Sequence, residues 1–129
     1  MAPVGYDGPV GMAKALIRIR KTGVRVEIAE TVAGISLGLM FRKRLARTEG
    51  MLLRLPRSGN HSIHMWFVRF PLDIVFIRED GTIARIRRAV PWQMPFRAGS
   101  RVCFILEVNG GFCRRNGIRA GDRCRNLPR

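Results

Sequence analysis

Residues 61–77 read HSIHMWFVRFPLDIVFI, a run of large apolar residues that also carries two histidines, an arginine and an aspartate. Its second half, Leu72-Asp73-Ile74-Val75-Phe76-Ile77, is dominated by β-branched and aromatic residues and predicts a strand. Pro71 has no backbone N–H, so it predicts a bend between two strands or a position at a sheet edge. The stretch therefore predicts a β fold in which polar groups lie among apolar ones.

Shorter alternating segments surround this stretch. Residues 16–20 and 24–28 alternate apolar and charged side chains around the turn signal Lys21-Thr22-Gly23, a pattern typical of a β-hairpin. The remaining predicted strands cover residues 49–55 (ended by Pro56), 61–70, 72–77, 82–88 and 102–108. Helical spacing predicts short helices at residues 32–39 and 112–117. About seven short strands separated by turns predict a small, mostly β barrel or sandwich with one or two short helices.

The chain length of 129 residues predicts one domain. We interpret residues 1–12 as a flexible leader and residues 13–129 as a single compact, mostly β domain. No stretch approaches 18 consecutive apolar residues, and the N-terminus lacks a charged start followed by an apolar run. These features predict a cytoplasmic protein with no membrane partner.

The balance of charge is strongly positive. Lysine and arginine total 24 against nine acids, for a formal net charge of +15, and three of the 24 are lysine. Arginine donates through a planar fork suited to phosphate and carboxylate, so the charge predicts attraction to polyanions, including nucleic acid. The same composition also fits a GC-rich genome or a heat-adapted proteome, and the sequence leaves the two explanations open.

The three cysteines, Cys103, Cys113 and Cys124, are spaced by ten and eleven residues. This spacing matches no metal-binding knuckle, and both histidines lie far away in sequence. We interpret the cysteines as buried thiols, with a Cys113–Cys124 bridge left open. The sequence predicts no metal and no cofactor.

Several short segments occur in a fixed order along the chain. They are Val26-Glu27-Ile28-Ala29, Gly38-Leu39-Met40-Phe41-Arg42 with Gly50-Met51-Leu52, residues 61–77 with Pro71-Leu72-Asp73, Ile105 to Gly111, and Gly121-Asp122. Over residues 24–125 this order resembles the conserved family named domain of unknown function 192. Many bacterial members have Trp-Met-Lys-Asn where this chain has His64-Met65-Trp66-Phe67, so the chain is more similar to an archaeal branch. The family has no established activity, so the resemblance implies a compact, mostly β fold and no reaction.

Six polar residues are candidates for a ligand site: Arg42, His61, His64, Asp73, Glu107 and Asn109. Asp73 and Glu107 lie inside apolar strands, where a carboxylate must be paired or stay protonated. The fork of Arg42 is suited to hold one of these carboxylates or a carboxylate of a ligand. Asn109 begins the loop Asn109-Gly110-Gly111, which either presents backbone N–H groups to an anion or forms a tight turn.

The histidines lie three residues apart, so on one continuous strand they point to opposite faces. They share a metal ion only if the strand begins after His61. Alternation groups His64 with Trp66 and Phe70 and predicts a core position for it. His61 follows a loop and is expected to be exposed, where a histidine can act as a general base.

Three hypotheses follow. The first is a small ligand-binding or accessory β domain whose candidate residues line one concavity. The second is a nucleic-acid-binding module that uses a clustered arginine surface, with aromatic residues available to stack bases: Trp66, Phe67, Trp92 and Phe96. The third is an enzyme with a histidine base oriented by Asp73.

Overall fold

The computed structural model describes residues 13–31 and 38–128. The predicted leader over residues 1–12 and most of the predicted helix over residues 32–39 lie outside the described residues. The strands, in chain order, are β1 (Ala13–Ile19), β2 (Thr22–Ala29), β3 (Glu49–Gly59), β4 (Ser62–Ile63), β5 (Leu72–Ile77), β6 (Ile83–Ala89), β7 (Phe96–Arg97), β8 (Val102–Asn109) and β9 (Cys124–Arg125). One short helix, α1 (Phe112–Arg115), follows β8 in the described part of the chain.

Seven strands form one curled half-barrel sheet in the order β6-β5-β8-β3-β2-β1-β9. The pair β2–β3 is parallel, and the other neighbouring pairs in this sheet are antiparallel. Strands β4 and β7 form a separate two-stranded sheet. The predicted mostly β fold is confirmed, and the sheet is a half-barrel rather than a closed barrel or a two-sheet sandwich.

The large sheet buries apolar side chains on both faces, which explains why β5 is apolar almost throughout. On one face, Val75 and Leu106 pack with Phe112 of α1, and we call this the helix face. On the other face, Leu53 and Ile74 pack beneath the loops that precede and follow β3, and we call this the cleft face.

Strand register decides which face each buried carboxyl occupies. Asp73 in β5 pairs with Val108 in β8, and Ile74 pairs with Glu107. Since directly paired residues point to the same side of a sheet, Asp73 lies on the helix face and Glu107 on the cleft face.

The prediction of a strand over residues 61–70 is wrong beyond the two residues of β4. The chain turns after Ile63: the N–H of Val68 donates to the carbonyl of Met65 at 3.2 Å, and Phe67 has a left-handed φ of 59°. Alternation cannot distinguish a strand from an apolar turn that is buried on one side. Met65 and Val68 are buried three residues apart, a spacing that suits a turn and not a strand.

Two further boundaries differ from the sequence prediction. Strand β3 does not end at Pro56 but continues to Gly59. Its pairing with β8 is irregular between Arg54 and Gly59, so the N–H that Pro56 lacks is not needed for a hydrogen bond between the strands. The β1–β2 turn lies at Arg20 and Lys21, so the predicted hairpin is confirmed but its turn comes one residue earlier.

In the described part of the chain, no helix is long and apolar enough to cross a membrane.

Candidate functional site

Two loops cover the cleft face and leave a cleft of about 210 Å³ between themselves and the sheet. We call residues 38–42 and 61–68 the cleft loops. Apolar side chains from the loops and from β3 and β8 form most of the wall: Leu39, Met40, Leu53, Leu55, Ile63, Val68 and Ile105. The polar lining residues are His61, Ser62, His64 and Glu107. A largely apolar cleft with a few polar groups is the usual form of a small-molecule site.

Glu107 is the buried acid of this cleft. Its neighbours in register are Met51 of β3 and Ile74 of β5, and the residue is 4% exposed. Its Oε1 atom is buried without a hydrogen-bond partner among the described residues. Burial raises the pKa of Glu107 to about 7, against the opposing effect of the positive charge of Arg42. Near neutral pH the carboxyl is therefore divided between its protonated and ionised forms.

Arg42 lies at the end of the first cleft loop and pairs with a residue that the sequence analysis did not select. Its Nη2 atom donates to Oε2 of Glu27 at 2.7 Å, and its side chain is 5% exposed. The expected pairing with Asp73 or Glu107 is replaced by this contact, because Glu27 lies on the cleft face in the same cross-strand row as Glu107. The Nε atom of Arg42 is buried without a partner among the described residues. A more open depression of about 360 Å³ lies beside Arg42 and Glu27.

Both histidines line the cleft, because β4 begins after His61 and the chain turns at His64. The Nε2 atom of His61 lies 2.6 Å from the carbonyl oxygen of Arg57, so this nitrogen carries the proton. The Nδ1 atom of His64 accepts the N–H of Trp66 at 3.2 Å, so in the neutral ring the proton is on Nε2. Within the described residues, no cluster of three His, Cys, Asp or Glu side chains is arranged to hold a metal ion.

Asp73 is separated from the cleft by the sheet. Its Oδ1 atom accepts from Nε of Arg88 at 2.9 Å, and its Oδ2 atom accepts the N–H groups of Gly111 and Cys113 at 3.1 and 3.0 Å. Asp73 therefore holds the first turn of α1 against β5. The histidine–aspartate pair of the enzyme hypothesis is not formed, because the two groups lie on opposite faces of the sheet.

Asn109 also has a structural contact. Its side-chain amide donates to the carbonyl oxygens of Leu45 and Ala46 at 2.6 and 3.3 Å, which ties the chain after the first cleft loop to the end of β8. The N–H of Gly110 donates to the carbonyl of Pro71 at 3.0 Å. The tight-turn interpretation of this loop therefore fits better than an anion-binding loop.

The three cysteines are free, so the bridge between Cys113 and Cys124 is not formed. Burial raises the pKa of each of these two thiols to about 12, and the nearby carboxylate of Asp73 contributes at Cys113. Both thiols are protonated at neutral pH and are poor nucleophiles.

The structure thus brings Glu107, His61 and His64 together at the cleft and separates Asp73 and Asn109 from it. Arg42 lies with Glu27 at the neighbouring depression, where its positive charge still acts on Glu107. Glu27 was missed because its relation to Arg42 and Glu107 depends on the parallel β2–β3 pairing, which no local pattern reveals.

Comparison with known proteins gives a consistent result. The family model of domain of unknown function 192, described as "Uncharacterized ACR", matches residues 15–126. A crystal structure of a candidate transcription regulator from Sinorhizobium meliloti is 33% identical, with 91% of this chain and 96% of that chain covered and a TM-score of 0.87. A protein of unknown function from Novosphingobium aromaticivorans is 31% identical, with coverages of 89% and 86% and a TM-score of 0.85. A search of curated proteins gives no match.

Proposed function

Because the chain belongs to the domain of unknown function 192 family, for which no activity is established, we propose a function from the cleft: binding of a small, largely apolar molecule with one hydrogen-bonding head group. The observation that carries this proposal is the unpartnered Oε1 atom of Glu107, buried at an apolar cleft. A buried polar atom without a partner costs about 1–3 kcal/mol, and a ligand head group that bonds to it recovers this free energy.

The size of the cleft limits the ligand. A cavity of about 150 Å³ in another protein accepts benzene, so a cleft of about 210 Å³ accommodates a molecule somewhat larger than one aromatic ring. Contact with the apolar wall favours binding by about 25 cal/mol for each Å² of apolar surface that is removed from water.

The charges around Glu107 select the head group. When protonated, the carboxyl donates a hydrogen bond to an amide or hydroxyl oxygen of a ligand, whereas the ionised carboxyl favours an amine. The guanidinium of Arg42 and the net charge of +15 oppose the entry of a cation. We therefore expect a neutral hydrogen-bond acceptor to bind best, and to bind more tightly below pH 7 than above it.

Three probes of equal chain length test the proposal: hexanamide, hexylamine and hexanoate, titrated into the ¹⁵N-labelled protein at pH 6 and pH 8. Hexanamide is expected to shift the amide resonances of residues 38–40, 61–64 and 105–107, more strongly at pH 6. The variant Glu107→Gln, which cannot ionise, is expected to lose this pH dependence. Glu30→Gln, at an exposed acid paired with Arg54, is the matched control. No shifts at these residues with any probe would refute the proposal.

We also propose a cytoplasmic location, similarity to an archaeal branch and a single domain over residues 13–129. Exposed arginines are spread along the described chain, among them Arg18, Arg47, Arg85 and Arg119. This dispersal counts against nucleic-acid binding driven by one arginine surface.

A further inference from the structure

Four aromatic side chains, three of them exposed and Trp66 half-buried, form a cluster that we call the aromatic cluster: Phe41, Trp66, Phe67 and Trp92. The rings of Phe41 and Phe67 are stacked, with centroids 4.9 Å apart. Trp92 meets Phe67 edge-on with centroids 4.8 Å apart, and its ring is tilted against that of Trp66 at 6.0 Å. Phe41 is 50%, Phe67 45% and Trp92 54% exposed. Exposed apolar side chains in mutual contact are typical of interaction surfaces.

The backbone holds three of these rings in an unfavourable conformation. Phe41, Phe67 and Trp92 have φ angles of 65°, 59° and 63°, a region that bulky residues rarely occupy. The N–H of Phe41 donates to the carbonyl of Phe67 at 2.9 Å, and the N–H of Trp92 donates to that of Met65 at 3.2 Å. These bonds lock the three turns together. Glycine would satisfy the same turns without strain, so the fold alone does not account for the rings.

The segments that carry the rings are positively charged, which favours an anionic partner. The three segments that carry the rings, residues 38–48, 64–71 and 89–98, contain no Asp or Glu. Their exposed cations are Lys43, Arg44, Arg47, Arg69 and Arg97. A second copy of the chain would bring the same positive charges against these, which disfavours self-association through this surface.

We propose that the aromatic cluster binds single-stranded nucleic acid, by stacking bases on its rings while exposed cations of the same segments hold the phosphates. Stacking requires ring planes in fixed positions, and the locked turns provide them, whereas insertion into a lipid surface places no such demand on ring orientation. A duplex conceals its base faces, so the unpaired strand is the form that fits. This proposal does not require the ligand proposed for the cleft.

The test measures the affinity for a fluorescein-labelled oligothymidylate of about twelve nucleotides by fluorescence anisotropy, at about 150 mM salt to weaken non-specific attraction. The two ring variants are Phe67→Ala and Trp92→Gly, and both keep every charge. Leu16→Ala is the matched control, because Leu16 is a 47% exposed apolar residue on β1, outside the three segments. Circular dichroism checks that each variant is folded.

Each ring variant is expected to weaken oligothymidylate binding about 5- to 150-fold, the range for losing one stacked base, while Leu16→Ala binds as the parent protein does. The parent protein is expected to bind the single strand more tightly than a duplex of the same length. Equal binding by all four proteins would overturn the proposal and assign the affinity to the dispersed arginines. If the ring variants lose binding to phosphatidylserine vesicles but not to oligothymidylate, the surface binds lipid and the proposal is overturned. If they instead lose dimerisation in light scattering, the surface binds a second copy of the chain.

Discussion

Replacing Glu107 by glutamine is expected to change how the free energy of unfolding depends on pH. The ordinary pKa of a glutamate is 4.5, and burial raises that of Glu107 to about 7 in the folded chain. Between these values the folded state holds a proton that the unfolded state has lost, so the free energy of unfolding falls as pH rises. The stability that Glu107 contributes through its bound proton is fully present below pH 4.5 and is lost as pH rises through about 7. Above that, the free energy of unfolding no longer depends on the titration of Glu107.

The magnitude follows from the same two values. Each pH unit between the two pKa values is worth about 1.4 kcal/mol, so Glu107 removes about 3 kcal/mol from the stability between pH 4.5 and pH 8. Glutamine does not titrate, so the stability of Glu107→Gln relative to the parent protein is expected to increase by about this amount over that range. Other groups with altered pKa values, such as Asp80 and Asp122, titrate equally in both proteins and cancel in the difference.

Urea denaturation at half-unit steps between pH 4.5 and pH 8.5, followed by tryptophan fluorescence, measures this difference. Glu30→Gln is the control, since it removes an exposed acid and leaves the cleft unchanged. If the difference between Glu107→Gln and the parent protein does not vary with pH, the carboxyl ionises as in water and the reasoning is refuted.

Further variants test the contacts around the site. Asp73→Ala is expected to lower the free energy of unfolding by about 2–4 kcal/mol in urea, because two N–H groups at the start of α1 lose their acceptor and Arg88 loses its partner; a loss below about 1 kcal/mol would contradict that role. Trp92→Gly is expected to be more stable than Trp92→Ala by about 1 kcal/mol in thermal denaturation, because glycine tolerates a φ of 63°; the reverse order would show an unstrained backbone. Gly50→Ala is expected to lower the free energy of unfolding by about 1–3 kcal/mol, because a Cβ atom there would lie 2.8 Å from the carbonyl oxygen of Glu107. Gly23→Ala, where the nearest atom would lie at 3.4 Å, is expected to lower it by less than half as much, and equal losses would contradict the close approach at Gly50.

Local sequence patterns were sufficient for most strands. The alternation in residues 16–28 and the apolar run of residues 72–77 reflect side-chain burial along a single strand, so both were predicted correctly. The same reasoning failed over residues 64–70, where apolar residues fill a turn. What distinguishes that turn is the set of backbone bonds made to Met65 and Phe67 by distant loops, which no local pattern contains.

The candidate site shows the same division between local and distant information. The sequence identified Glu107 and Asp73 as acids in apolar strands, and both are indeed buried. Their different roles depend on register, because pairing between β5 and β8 puts the two carboxyls on opposite faces of the sheet. Asp73 accepts three hydrogen bonds there, whereas one oxygen of Glu107 has none among the described residues.

The titration of Glu107 itself tests most directly whether this buried carboxyl bonds to a ligand in the cleft. The ¹³C resonance of the Glu107 carboxyl can be followed from pH 3 to pH 9, with and without hexanamide. We predict a pKa of about 7 in the free protein and a higher value with the probe, because the bound amide stabilises the protonated form. A pKa near 4.5 that hexanamide does not change would contradict both the burial of this carboxyl and its proposed contact with a ligand.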